Sequence, residues 1–252
     1  MPTEFHNWLL VFLRASGLMA VFPIFTARNF PVQMRLALAV ALAMFIAPTL
    51  PVQAPPAAWW PAVWGMLREV LYGLLLGFAG RMIFYALDVA GALISSEIGL
   101  TMPAGMNPFG EQATTGSLLL YYLAAVLFLS LDLHHWLLIS FQRSYAVLPI
   151  GGGVISQTLA LDVLRRTTQT FEVALRMAAP FIAVSFILTL IFSVLGRAVP
   201  QMNVFSESFA IRIVVGLLVL GGSMQLLAQH VAAYLRRLPE DVLRVAQLLG
   251  TG

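Results

Sequence analysis

From Met177 to Leu195 the chain carries no charged residue, and from Ile213 to Gln229 it again carries none. Apolar runs of this length have few solutions. A helix on the surface of a soluble protein needs a polar stripe, whereas a bilayer-spanning helix needs about 20 mostly apolar residues. Counting these two runs, six segments fit the second description: about 8–25, 36–50, 70–95, 117–141, 174–195 and 211–230. Composition agrees, with 60% of residues hydrophobic and only 10% charged, against about 45–50% apolar and about 25% charged in an average soluble domain. So few charges cannot cover a water-facing surface. The expected fold class is all-α: a multi-helix integral membrane protein, with residues 1–252 forming a single membrane-embedded domain. No repeat period or low-complexity tail divides it.

The remaining composition narrows the chemistry. There is no cysteine, which excludes disulfides and thiolate metal sites. There is no lysine, so the positive charge rests on arginines alone. They are scattered singly or in pairs, unlike the clustered patch of a nucleic-acid binder. MPTEFHNW lacks the basic start and cleavage site of a signal peptide, so the first apolar segment is expected to be retained. Trp59, Trp60 and Trp64 follow a proline-rich run and suit the membrane–water interface. If all six segments span, Arg68, Arg143, Arg165, Arg166, Arg236, Arg237 and Arg244 share one side. Arg28, Arg35, Arg197 and Arg212 share the other, which predicts cytoplasmic termini.

Charges within the apolar segments are the anomaly. Arg14, Arg81, Asp88, Asp132 and Arg176 all interrupt or open such segments. A charge facing lipid costs a few kcal/mol, so these groups are expected to be buried in inter-helix pairs or to face other subunits. Arg81 and Asp88 lie nearly on one helical face but two turns apart, so partners on other helices are expected for both.

Catalytic patterns are missing. His134 and His135 point about 100° apart on a helix and do not share a metal as an i, i+4 pair can. Ser95, Ser96, Ser140 and Ser144 lie in no nucleophile elbow. A Walker loop needs a lysine, and Gly151–Gly153 reads as a turn after Pro149. No enzyme activity, cofactor or metal is expected. Two polar stretches are more informative. GLTMPAGMNPFGEQATTG, residues 99–116, combines glycine, proline and methionine; irregular backbone at membrane depth survives only when buried in protein or lining a cavity. It is therefore a candidate pore constriction or an ordinary loop. GRAVPQMNVF, residues 196–205, contains Pro200, which breaks a helix. Arg197, Gln201 and Asn203 could satisfy the freed backbone groups, and Arg197 could reach Glu207.

Four stretches resemble the FliR/SctT family of type III secretion export-gate components. They are Leu13-Arg-Ala-Ser-Gly-Leu18 with Phe22-Pro-Ile-Phe25, Pro31 and Arg35–Ala39; Gly91 and Glu97-Ile-Gly99; Leu131-Asp-Leu-His134 with Ser144 and Leu148-Pro-Ile-Gly151; and Leu195-Gly-Arg-Ala-Val-Pro-Gln-Met-Asn-Val-Phe205 with Gly216-Leu217. The last is the most specific. The chain departs from the family pattern at Phe209-Ala-Ile-Arg212, which lacks a proline, and at Met106-Asn-Pro108, where an aspartate is common.

The resemblance implies a non-enzymatic gate component of the bacterial inner membrane and flagellar basal body. Its helical hairpins would pack, like a FliP and a FliQ joined in one chain, into a helical assembly with FliP and FliQ homologues. A FlhB homologue would wrap the entrance, and unfolded flagellar subunits would pass. Met102, Pro103, Gly105, Met106, Asn107, Pro108, Phe109 and Gly110 would then form the pore plug. Arg197, Pro200, Gln201, Asn203 and Phe205 would form a hairpin corner used in assembly. A virulence-type gate and a small-molecule transporter are the alternatives. The transporter class suits broken helices and intramembrane charges, but the internal duplication expected of it is not visible.

Overall fold

A computed structural model describes residues 3–26, 30–100, 114–154, 156–199 and 203–250. Every regular element among them is helical: α1 (Thr3–Val21), α2 (Pro23–Thr26), α3 (Val32–Ile46) with a 3-10 turn (Ala47–Thr49), α4 (Trp59–Ile98), α5 (Thr115–Ser130), α6 (Leu133–Val147), α7 (Gln157–Ala198), α8 (Val204–Leu235) and α9 (Leu238–Gly250). The all-helical membrane class expected from composition is therefore observed. The six apolar segments fall chiefly in these helices, but they are not six equal spans. Four stretches are long and apolar enough to cross a bilayer, within 32–49, 59–98, 157–198 and 207–250; the bent pair α5–α6 makes a fifth if it counts as one broken span.

Segment one drops out because α1 carries Glu4, His6, Asn7 and Arg14, which dilute its apolar character. His6, Asn7 and Arg14 are nevertheless buried, so α1 works as a packed core helix. Segment four is broken because Asp132 takes a left-handed conformation, φ 54°, which an aspartate tolerates better than most residues but a helix interior does not. Helices α4 and α7, with 40 and 42 residues, are each roughly 60 Å long at 1.5 Å per residue. That is about twice the hydrocarbon thickness of a bilayer. Upright, neither can lie wholly in hydrocarbon, so polar groups along them need not face lipid.

The chain packs as two compact units, each assembled from discontinuous segments. The first comprises 1–83, 131–166 and 236–252. Its tightest feature is the approach of α1 to α4. Gly73 and Gly77 recur at the small-xxx-small spacing that lets membrane helices meet backbone to backbone. A Cβ added at Gly17 would lie 2.6 Å from the Val70 carbonyl oxygen, and one at Gly77 would lie 2.6 Å from that of Leu18.

A second contact in this unit pairs α6 with α9. Leu133, Leu137, Ser140, Phe141 and Ser144 are buried on α6, and Leu238, Val242, Val245, Ala246 and Leu249 on α9. Both sets repeat at i, i+4, i+7, i+8 and i+11, the stripe of an amphipathic helix. Fully burying a leucine or valine contributes about 1.5–3 kcal/mol, enough for the two leucines and two valines of α9 to hold this short helix in place. Ion pairs add to them: Arg166 reaches Asp162 (2.6 Å) and Asp241 (2.7 Å), and Arg244 reaches Asp162 (3.1 Å).

The second unit comprises 84–130 and 167–235. Here Gly91 of α4 meets Gly116 and Ser117 at the start of α5, and a Cβ on Gly216 of α8 would lie 2.7 Å from the Ile98 side chain. Arg212 of α8 donates to Ser185 Oγ (3.2 Å) and Thr189 Oγ1 (3.0 Å) of α7. Large apolar side chains nevertheless stay uncovered by the chain, among them Phe186, Leu190 and Val194 on α7 and Val214, Leu218 and Leu226 on α8.

Candidate functional site

The loop 99–116 enters and leaves through one residue. Helix α4 ends with Gly99 at φ 82°, where glycine avoids the Cβ clash. The Leu100 amide donates to the Ser95 carbonyl (2.8 Å) and the Gly99 amide to the Ser96 carbonyl (3.3 Å). This 6→1 and 5→2 pair is the Schellman termination of a helix. On the return side, the Gly116 amide donates to Ser95 Oγ (2.7 Å), and Ser117 Oγ donates to the Asp88 carbonyl (2.8 Å). Ser95, fully buried, thus binds both ends: its carbonyl takes the exit and its hydroxyl the return. Met102, Pro103, Gly105, Met106, Asn107, Pro108, Phe109 and Gly110 lie outside the described residues.

The hairpin corner follows the proline logic in part. Helix α7 stops at Ala198, two residues before Pro200, as the restriction on a residue preceding proline requires. Arg197 lies in its last turn, where a cation suits the helix dipole. Arg197 and Asn203 are exposed, and the Asn203 carbonyl accepts the Glu207 amide (3.2 Å) as α8 begins. No Arg197–Glu207 ion pair occurs among the described residues. Pro200, Gln201 and the Phe205 side chain lie outside them.

The intramembrane charges separate into different cases. Arg14 is wholly buried in the first unit and pairs bidentately with Glu69 of α4: Nε to Oε2 at 2.6 Å and Nη2 to Oε1 at 3.1 Å. Its Nη1 donates to the Leu148 carbonyl (2.9 Å), and Glu69 Oε1 also accepts the Gly151 amide (2.9 Å). The Tyr145 ring lies 4.1 Å from the guanidinium, within cation–π range. One residue pair therefore joins α1, α4 and the turn after α6. Its geometry follows from sequence spacing. Arg14 and Gly17 share a face of α1, Glu69 and Gly73 share a face of α4, and the glycines bring the backbones close enough for the side chains to meet.

Arg81 is half-buried, whereas Asp88, Asp132 and Arg176 are exposed within the chain. Arg176 pairs with Glu172 one turn back on its own helix. Asp132 lies 3.6 Å from His135. Burial by this chain thus accounts for Arg14 and not for those three.

Sequence reasoning missed Glu69, because it sits just before the third apolar segment, which begins near residue 70. It also missed Ser95 as a tie point and α9 altogether. The signals were present: a lone acid one turn before the Gly73–Gly77 pair, and a regular apolar stripe over 238–249.

Residues 5–238 match the family described as bacterial export proteins, family 1. The chain belongs to this family. The match runs from α1 to the first residue of α9, taking in the second packing unit and most of the first, the loop 99–116 and the corner. Relatives span the chain as well. The flagellar biosynthetic protein FliR of Escherichia coli (strain K12) is 28% identical across 98% of this chain and 97% of its own length. That of Bacillus subtilis (strain 168) is 28% identical over 86% of this chain and 85% of its own, and that of Caulobacter vibrioides 27% over 85% and 87%. Membership of the export family accords with the lack of a catalytic constellation in the sequence.

Proposed function

We propose that this chain is a structural, non-enzymatic component of the flagellar type III export gate, set in the bacterial inner membrane at the base of the flagellum. It assembles with FliP- and FliQ-type subunits, next to a FlhB-type subunit, and passes unfolded flagellar proteins. The near-complete overlap with relatives named FliR carries this reading, and those relatives favour a flagellar gate over a virulence-type one. The uncovered apolar faces of α7 and α8 support it too. Lipid or neighbouring subunits must cover them, and a hairpin of two long helices joined by a polar corner suits packing against copies of a similar hairpin. The exposed Asp88 and Arg176 then face the neighbouring subunits. Co-expression with FliP- and FliQ-type proteins tests the assembly: one large particle should purify through a tag on any member. A chain that purifies alone and moves a small solute in vesicles would instead point to a transporter.

Within that gate, the loop 99–116 acts as the plug. Its two described ends meet at Ser95, through the Leu100 amide on the Ser95 carbonyl and the Gly116 amide on its hydroxyl. Deleting Met102–Gly110 should leave assembly intact and make cells leak ions and small solutes, measured as lost membrane potential. Ser95→Ala should leak less than the deletion but more than wild type, because it frees only the return end. Unchanged permeability in a well-assembled deletion variant would remove the plug assignment.

A further inference from the structure

We propose that Asp132, His134 and His135 bind a divalent transition-metal ion of the zinc type at the N-terminal end of α6. From sequence, two adjacent histidines diverge and lack a third ligand. The backbone alters that. Asp132 does not continue a helix; its left-handed conformation (φ 54°, ψ 24°) makes it the residue before α6. Its carboxylate turns toward the first helical turn, 3.6 Å from His135 Nδ1. The two imidazole rings lie with centroids 4.1 Å apart and planes at 38°, so they are adjacent despite diverging at Cα. One ligand atom from each of the three residues lies within 4.8 Å of the others, and no other group of three such residues does so among those described.

Zinc takes imidazole nitrogen at about 2.0–2.1 Å and carboxylate oxygen at about 2.0–2.2 Å. Its ligand atoms therefore sit roughly 3.3 Å apart; the three here, all within 4.8 Å of one another and with Asp132 and His135 already at 3.6 Å, need only a small closure. The Asp132 and His135 side chains, 72% and 64% exposed, have room to make that movement toward the half-buried His134. Two nitrogens and one oxygen form a donor set of intermediate softness. It selects zinc, nickel or copper over magnesium and calcium, which prefer oxygen alone. Three protein ligands leave at least one position to water. A cation at a helix N-terminus works against the helix dipole. The Asp132 carboxylate offsets that field, so the expected affinity is micromolar, below that of a buried structural site.

Tag-free full-length protein in detergent, stripped with chelator, provides the test, because a histidine tag would mask the signal. Titration with Zn²⁺ should show one saturable site per chain, and Co²⁺ should give the visible absorption of a low-symmetry bound ion. The isosteric Asp132→Asn and the double variant His134→Ala/His135→Ala should each weaken Zn²⁺ binding by about tenfold or more, with His230→Ala unchanged. If the double variant does not fold, Asp132→Asn decides alone. Absence of saturable binding, or affinity that neither variant changes, overturns the proposal and leaves an ordinary Asp132–His135 ion pair.

Discussion

Glu69→Ala is expected to destabilise the folded chain by about 3–5 kcal/mol, the loss typical of removing one partner from a buried ion pair. Arg14 and Glu69 are both fully inaccessible to solvent. The alanine would leave a guanidinium with two of its three charge-assisted bonds gone, and the Gly151 amide would lose its acceptor. Water cannot replace them without opening the contact between α1 and α4. Arg14→Ala should cost a similar amount, because it strands Glu69 instead.

The paired replacement Arg14→Met/Glu69→Leu should recover most of the loss. Two apolar side chains of similar volume carry no charge to desolvate, and such swaps are often neutral or stabilising. Thermal unfolding of the purified protein in detergent, followed by tryptophan fluorescence, would measure all three. With the matching single variants Arg14→Met and Glu69→Leu added to close the cycle, the double variant should be far less destabilised than the two singles summed. A Glu69→Ala variant within about 1 kcal/mol of wild type would mean that water reaches the pair and screens it. Since the pair also fixes the Leu148 carbonyl and the Gly151 amide, Glu69→Ala should additionally increase proteolysis in the 148–154 turn.

How far this lock could be read from sequence depends on its two halves. Arg14 announced itself as a charge in an apolar run. Its partner did not, because the residues are 55 apart and Glu69 looks like the polar margin of the next apolar segment. Pairing across such a separation is a property of packing, which hydropathy does not encode. The same limit explains the 117–141 segment. Leu131-Asp-Leu133 is apolar enough to pass within one span, and nothing in it requires the positive φ of Asp132. Helix α9 escapes hydropathy for another reason: it is too short to form an apolar run and declares itself by period, with Pro239, Glu240 and Asp241 as start signals. The proline logic at 196–205 did place the end of α7. Local chemistry was thus legible, as were class and helix content; the contacts between distant segments were not.

Gly73→Ala is expected to damage the same contact from the backbone side. A Cβ at Gly73 would fall against the Arg14 carbonyl group, well inside van der Waals contact. The obstacle is main chain, so no rotamer change relieves it, and α1 must move away from α4. Overpacking costs about 1–3 kcal/mol where side chains can adjust, and here they cannot. Separation would also stretch the Arg14–Glu69 bonds, since Glu69 lies one turn from Gly73 on the same face. The loss should therefore reach at least the upper end of that range, and a bulkier Gly73→Leu should abolish folded protein. Gly65→Ala is the matched control. It lies on the same helix, and a Cβ there meets nothing within 4 Å. Replacing glycine by alanine within a helix favours it by about 1 kcal/mol, so Gly65→Ala should equal or exceed wild type in melting temperature while Gly73→Ala falls below it. Equal melting temperatures for the two alanine variants would show that α1 and α4 have room to separate. In that case, the ion pair rather than the glycines would be what holds them together.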